Sequence, residues 1–480
     1  LCITLILKGN QHHVPDWRKC PVFSLEVASG SVFNQPHPKA HCESEVRSMR
    51  AATVLLASIL MALSAAAADW PQYRGPNRDD VSAETGLLPS WPAGGPPLLW
   101  TYREAGIGYS GPAIVGDRLY TIGGRGEMEH LIALDLTAKK DGTVAEAWAT
   151  PIGKTFQWEG NRWSAGASST PTVDGQLVYA LGGNGDLICA SAADGKEIWR
   201  KNLPMELEAQ VNPIGGGPKN LGWGFAWAPL VDGEKLICVP GGPRGTLAAL
   251  DKKTGSVLWR SSELKDQAAY TSPMLAEFAG IRQFVVLSNQ GVAGIAAEDG
   301  RVLWTYPRRY STEVVNSPIV SGEFVFVTVG AGQGCDLFRV KHDGGKFEAE
   351  TVYSNKNLMN HHGNTVLLAD HIFGFSEGKG WICLKLADGE IAWSEPRKLP
   401  AGAITYAGGR FYCYSENDGT AVLIEPDTTT WKETGRFKIP EQSAQRKPNG
   451  RIWTPPVVAN GRLYLRDQEL LFCYDVKATE

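Results

Sequence analysis

One phrase recurs along this chain: a Pro-led strand, a turn, a second strand, a Gly-rich hairpin, a third strand ending near Ala-Leu-Asp, then Asp-Gly or Thr-Gly and a Trp. APLVDGEKLICVPGGPRGTLAALDKKTGSVLWR, from Ala228 to Arg260, aligns almost position for position with STPTVDGQLVYALGGNGDLICASAADGKEIWR, from Ser169 to Arg200. A unit of four strand-sized pieces cannot bury its apolar faces alone, and repetition at this length predicts an all-β fold, a β-propeller of four-stranded antiparallel blades.

The blades can be counted from both ends of the phrase. Openings fall at Pro112, Pro171, Pro229, Pro273, Pro318, near Thr365, near Ile404 and at Pro455. Closing aromatics fall at Trp148, Trp199, Trp259, Trp304, about Val352, Trp393 and Trp431, one fewer than the openings. The missing end precedes the first opening, at Trp100, so the strand carrying Trp100 should complete the last blade and leave no free sheet edge. Eight blades follow, or seven if the weak copies near Thr365 or Ile404 are not blades. The propeller should occupy residues 98–480, with 69–97 as an extension packed on it.

The same periodicity assigns most conspicuous residues to the scaffold. A Trp closing each repeat can fill the wedge between blades, which makes Trp259 a core residue. The runs from Gly123, Gly182 and Gly241 sit between second and third strands and read as hairpins, since no helix follows them as a phosphate loop requires. Asp135, Asp251 and Asp475 recur after the third strand, as turn-forming residues do. Cys189, Cys383 and Cys473 stand where Ala133 and Ala249 stand in other blades, and with Cys238, Cys335 and Cys413 they read as small buried thiols. A net charge of −4 with no basic run excludes a nucleic-acid partner.

Met49-Arg50 followed by AATVLLASILMALSAAAA has the layout of a secretory signal peptide over 49–68. It predicts a periplasmic or secreted protein without an integral membrane domain, and no Cys near the cleavage point supplies a lipid anchor. Residues 1–48 lack an initiating Met and any copy of the repeat, and read as upstream translation outside the functional chain.

The repeats resemble those of the PQQ-like propeller superfamily, which includes quinoprotein alcohol dehydrogenases and the propeller subunit of the outer-membrane protein assembly machinery. The resemblance extends to secreted bacterial PQQ-like repeat proteins beginning WPQYRGPNR, here Trp70 to Arg78, and to WGFAWAPLVDG from Trp223, GQGC from Gly332 and NHHGN from Asn360. It implies the fold over 69–477 and leaves function open, because one fold hosts many activities. The dehydrogenases hold PQQ in the central channel with a Ca²⁺ ion and a catalytic Asp, often beside two adjacent cysteines. This chain has no adjacent cysteines and no Cys-x-x-Cys-His haem site.

In a propeller the innermost strand opens each blade, so the residues just before it converge at one mouth of the channel. Those positions and the loops leading to them supply Tyr109, Asn161, Arg162, Trp163, Trp223, Trp227, Tyr270, Asn316, His361, His362, Arg451 and Trp453 as candidate ligand-binding or partner-binding residues. His361 and His362 are the candidate metal ligands, with Asn316, Asn360 or Asn364 in support; the alternative is that they fix the loop and cap the channel. Asp and Glu are sparse in these segments, which specifies no Ca²⁺ cage. Two functions follow. One is a monomeric, non-catalytic scaffold whose loop face binds an envelope protein, a carbohydrate or a small molecule. The other is a PQQ-dependent oxidoreductase acting on alcohols or sugars.

Overall fold

The computed structural model describes residues 68–140 and 142–478. The expected upstream segment 1–48 and all but the last residue of the expected signal peptide lie outside the described residues. Eight separate four-stranded antiparallel sheets form eight blades. Their innermost strands are Ala113–Val115, Thr172–Asp174, Leu230–Asp232, Met274–Phe278, Ile319–Ser321, Thr365–Leu368, Gly402–Ala407 and Val457–Ala459. Each begins within two residues of the expected opening, the weak copies included. The lone helix among the described residues, α1 (Leu203–Leu207), is a single turn capped by the Asn202 side chain.

Closure follows the predicted route. The strand Leu98–Tyr102 pairs antiparallel with Leu470–Asp475, setting Trp100 opposite Cys473. Arg466, on the second strand of the eighth blade, adds a lock that sequence reading missed. It is fully buried, and its guanidinium donates to the carbonyls of Ala105, Gly106, Ser110 and Ile122 and to the Thr121 hydroxyl, all at the first blade. Burial holds its pKa down to about 9.

A packing rule explains the repeated Trp. The third-strand residue directly opposite it is small: Ala133 faces Trp148, Cys189 faces Trp199, Ala249 faces Trp259, Gly294 faces Trp304 and Cys383 faces Trp393. The indole then reaches the next blade. A methyl group on Gly195, Gly255 or Gly300, the turn glycines of the second, third and fourth blades, would overlap Trp148, Trp199 or Trp259 of the blade before. Trp199 and Trp393 also donate their indole N–H to the carbonyls of Lys252 and Asp427 across the blade interface, at 3.0 and 2.8 Å. All six cysteines of the described residues are buried and free. Asp135 and Asp251 accept hydrogen bonds from the backbone N–H groups of the turns that follow them.

Residues 69–91 run across the ring and stop one end of the channel. Trp70 exchanges two backbone hydrogen bonds with Ile114 of the first blade. Arg74 pairs with Asp80 at 2.5 Å and donates to the Thr365 carbonyl of the sixth blade at 2.8 Å, all three groups being buried. Arg78 donates to the carbonyls of Ala228, Pro229 and Pro273, where the third and fourth blades open. Glu84 takes the N–H groups of Asn460 and Gly461 in the eighth blade. The signature WPQYRGPNR is thus a stopper that sets cationic side chains against inner-strand carbonyls.

Core expectations need one correction. Trp304 is 4% exposed, but Trp259 is only partly buried and its indole N–H has no partner. Trp304→Ala should cost about 3–5 kcal/mol as a large-to-small core change, and Trp259→Ala distinctly less. Arg466→Met strands several buried acceptors, each costing roughly 1–3 kcal/mol, so a loss of at least about 3 kcal/mol is expected. Equilibrium denaturant unfolding of the three variants checks the order.

Candidate functional site

At the other end the channel opens into a cavity of about 550 Å³. Its wall draws on residues just ahead of the inner strands: Tyr109, Ser168, Ala226, Tyr270, Val315, His362 and Trp453. Tyr73, from the stopper, is also part of the lining and donates to the Asn364 side chain at 3.0 Å. The cavity is therefore blind.

Three irregular loops build the mouth. In the loop over 155–166, the Asn161 side chain accepts the N–H groups of Trp163 and Ser164 and donates to the Ser164 carbonyl, a closed Asx turn that presents Trp163. The start of the loop is pinned by buried Glu129, which accepts from the N–H groups of Phe156 and Gly183 and whose pKa burial lifts to about 7. In the loop over 208–227, the Tyr270 hydroxyl donates to the Asn212 carbonyl and accepts the Trp223 N–H. Gly215 lies against Glu313 so closely that any side chain there would displace the carboxylate. In the third loop, Asn316 donates to the Asn360 carbonyl at 2.6 Å, and Asn360 to the Phe375 carbonyl at 2.8 Å.

Eight of the twelve candidate residues line this cavity: Tyr109, Trp163, Trp223, Tyr270, His361, His362, Arg451 and Trp453. The other four are placed elsewhere. Asn161 and Asn316 are buried and hold loops, and Arg162 is exposed outside the lining. Trp227 is fully buried in the core between the second and third blades, while the residue before it, Ala226, lines the cavity. Sequence reasoning missed Tyr73, Glu313 and Glu416, which also line the cavity. The expectation of a mouth sparse in carboxylates is corrected accordingly: Glu416 comes from the hairpin after a second strand, and Glu313 from a loop stretch ahead of the positions collected.

Rings and charges are ordered within the cavity. His361 and His362 have centroids 4.3 Å apart, His362 stacks on Trp453 at 4.7 Å and 19°, and Tyr109 leans on Trp453 at 5.0 Å. Trp223 is backed by Trp158 at 5.0 Å. His361 lies 3.7 Å from Glu313 and 3.6 Å from Glu377. Burial alone would depress its pKa, but the carboxylates of Glu313, Glu377 and Glu416 outweigh that and raise it. The imidazole in turn holds Glu313 down to about 2. Burial, with the neighbouring His361 charge, pushes His362 down to about 3. Glu416 is raised by burial despite accepting the Trp453 indole N–H at 3.2 Å and lying near Arg451.

This set does not fit a quinone with Ca²⁺. Among the described residues no group of three or more His, Cys, Asp or Glu side chains is arranged to hold a metal ion. The Asn364 oxygen accepts from Tyr73, Asn316 and Asn360 donate their amide N–H groups to loop carbonyls with their oxygens left unpaired, and His361 faces the Glu313 and Glu377 carboxylates, which favour its protonated form over a free lone pair.

The family model described as outer membrane protein assembly factor BamB matches residues 138–395, more than half of the chain. The chain is 23% identical over 264 residues to outer membrane protein assembly factor BamB of Shewanella oneidensis, covering 54% of this chain and 57% of that protein. It thus spans little more than half the length of the curated relative it matches. Among solved structures it is similar to BamB from Moraxella catarrhalis, with a TM-score of 0.54 at 15% identity over 80% of this chain and 98% of that one. It is also similar to quinohemoprotein alcohol dehydrogenase from Comamonas testosteroni, with a TM-score of 0.54 at 12% identity over 88% and 82%. At such identities these two likenesses speak for the fold alone. No helix among the described residues is long and apolar enough to cross a membrane.

The titration of the paired histidines should separate them. His361 gains its proton preferentially in the folded state, so its stabilisation is present below about 6.5 and is lost as pH rises through its folded value. By NMR its imidazole should titrate above about 6.5, fall toward that value in Glu313→Gln, and leave His362 neutral down to at least pH 5.

Proposed function

The chain belongs to the PQQ-like repeat family described as outer membrane protein assembly factor BamB, and on that premise we propose that it is a non-catalytic binding module of the cell envelope. It presents the loop face around its blind cavity to another protein of that compartment. One observation carries this reading: the channel is stopped from behind by the chain's own Tyr73 to Asp80, so the loops at the open mouth are its accessible face. The name of the family's curated relative describes a factor acting in assembly of other proteins, which agrees with a presenting surface. The signal-peptide pattern at 49–68 supports export to the same compartment.

The oxidoreductase alternative draws support from the fold alone, and fold does not carry function. Among the described residues, no group of three or more His, Cys, Asp or Glu side chains is gathered to hold the Ca²⁺ it would need.

Photocrosslinking distinguishes the two. A photoreactive amino acid replacing Trp163, 46% exposed at the rim of the cavity, should yield a discrete adduct with an envelope protein in the producing cells. The same group replacing Leu258, 50% exposed on the outer edge of the third blade, should not. Adducts at Leu258 only would move the binding face to the blade edge. A rise in melting temperature with saturating PQQ and Ca²⁺, together with dye reduction on alcohols or sugars, would establish the enzyme instead.

A further inference from the structure

The cavity carries information about what it can hold beyond its being a face. Aromatic groups enter it from opposite sides of the ring: Trp453 and Tyr109 from the eighth and first blades, Trp223 and Tyr270 from the loops ahead of the third and fourth. Such faces reward a ligand with a flat, C–H-rich side. The volume, about 550 Å³, lies within the range of roughly 300–1,000 Å³ usual for small-ligand pockets.

The charges decide which ligand. His361 and Arg451 supply two cations, and Glu313 and Glu416 two carboxylates, each anion lying close to a cation. With His361 protonated the four groups balance, and the lining then favours neither an anion nor a cation. It does have unspent hydrogen-bonding capacity. Arg451, in the lining, gives only one hydrogen bond, to the Gly450 carbonyl. The remaining N–H groups of its guanidinium are left to take acceptors on a ligand. A planar aromatic anion would leave the carboxylates facing like charge. A polyol ring offers an apolar face to the indoles and adjacent hydroxyls to carboxylate, guanidinium and imidazole at once.

Resting on the reading of this mouth as the binding face, we propose that the blind cavity is a saccharide site, taking a neutral sugar ring against the Trp453 and Trp223 walls with its hydroxyls on Glu313, Glu416 and Arg451. The bound sugar could be free or the end of a glycan chain; the chemistry recognised is the same.

Tryptophan fluorescence and saturation-transfer NMR on the full chain test this with cellohexaose, maltohexaose and chitohexaose, against hexagalacturonate and trilysine. At least one neutral oligosaccharide should bind saturably, with its ring protons receiving the saturation, while hexagalacturonate and trilysine bind at least ten-fold more weakly. Arg451→Ala and Trp453→Ala should each weaken that binding at least ten-fold. Should Trp453→Ala not fold, Trp163→Ala, at an exposed rim position, carries the aromatic arm and should weaken binding measurably. Binding that survives Arg451→Ala and the aromatic variant unchanged overturns the site. Absence of binding by all three neutral sugars, or tighter binding of hexagalacturonate or trilysine, overturns the proposal. If the Trp163 crosslink to a protein persists in that case, the binding-module reading stands without it. A single oligosaccharide and its reducing-end polymer conjugate, compared side by side, separate free sugar from glycan end.

Discussion

The structure depends on one contact repeated at three successive junctions, from the first blade to the fourth: the indole of one blade laid on the turn glycine of the next. It requires two absences of side chain, a small residue opposite the Trp on its own sheet and a glycine in the neighbour's turn. Gly294 shows how little room there is, because any β-carbon there would overlap the Trp304 ring. Since the turn glycine adopts positive φ, as at Gly195, Gly255 and Gly300, the same residue serves the turn and the docking. The Asp-Gly or Thr-Gly and the Trp that close each phrase are therefore one device split across two blades, which is why they recur together.

Such a ring is uniform, and uniformity alone neither closes it nor fills its axis. Closure is achieved by the Trp100 strand and by Arg466, whose guanidinium spends one donor on Gln468 of its own blade and the rest on first-blade groups. The axis is filled by Arg74 and Arg78 on the same principle. Inner strands are short and converge, so their end carbonyls point at the channel with no sheet partner. A guanidinium carries five donors in a fixed plane and can take several such carbonyls at once, which an ammonium cannot match in geometry. Three buried arginines thus replace the backbone pairing that a radial array cannot supply.

This accounts for what could be seen in the sequence. The blades, their number, the closing strand, the turn roles of Asp135 and Asp251 and the buried thiols all obey the repeat, and periodicity makes them legible. Trp259 obeys it too, yet like Trp148 it is less buried than Trp199, Trp304 and Trp393, since periodicity gives a residue's place but not the size of its neighbours. The cavity was legible in outline, because the residues ahead of inner strands must converge, and eight of twelve do so at its wall. Trp227 fails for a local reason: Ala226 takes the place on the wall, and the indole next to it packs into the core between blades. Tyr73 was hidden because it reaches the cavity from the opposite end of the channel. Glu313 was hidden because it lies further ahead of its inner strand than the positions that converge, and Glu416 because it sits in a hairpin between second and third strands, where the repeat reads as a turn.

Those carboxylates change what the mouth is. Two adjacent histidines among aromatic rings would read as soft donors waiting for a metal. With Glu313 at 3.7 Å and Glu377 at 3.6 Å, His361 is favoured as the cationic member of an ion-pair cluster, and burial, reinforced by that neighbour, keeps His362 neutral beside it. A neutral His362 can then stack on Trp453 without bringing an unpaired charge into the aromatic wall. The repeat builds a rigid, blind frame, and the departures from it set a compensated group of charges against aromatic faces at its open end. Charge compensation removes the long-range attraction that would make such a mouth indiscriminate, so selection there falls to shape, stacking and the hydrogen bonds the lining has left unmade.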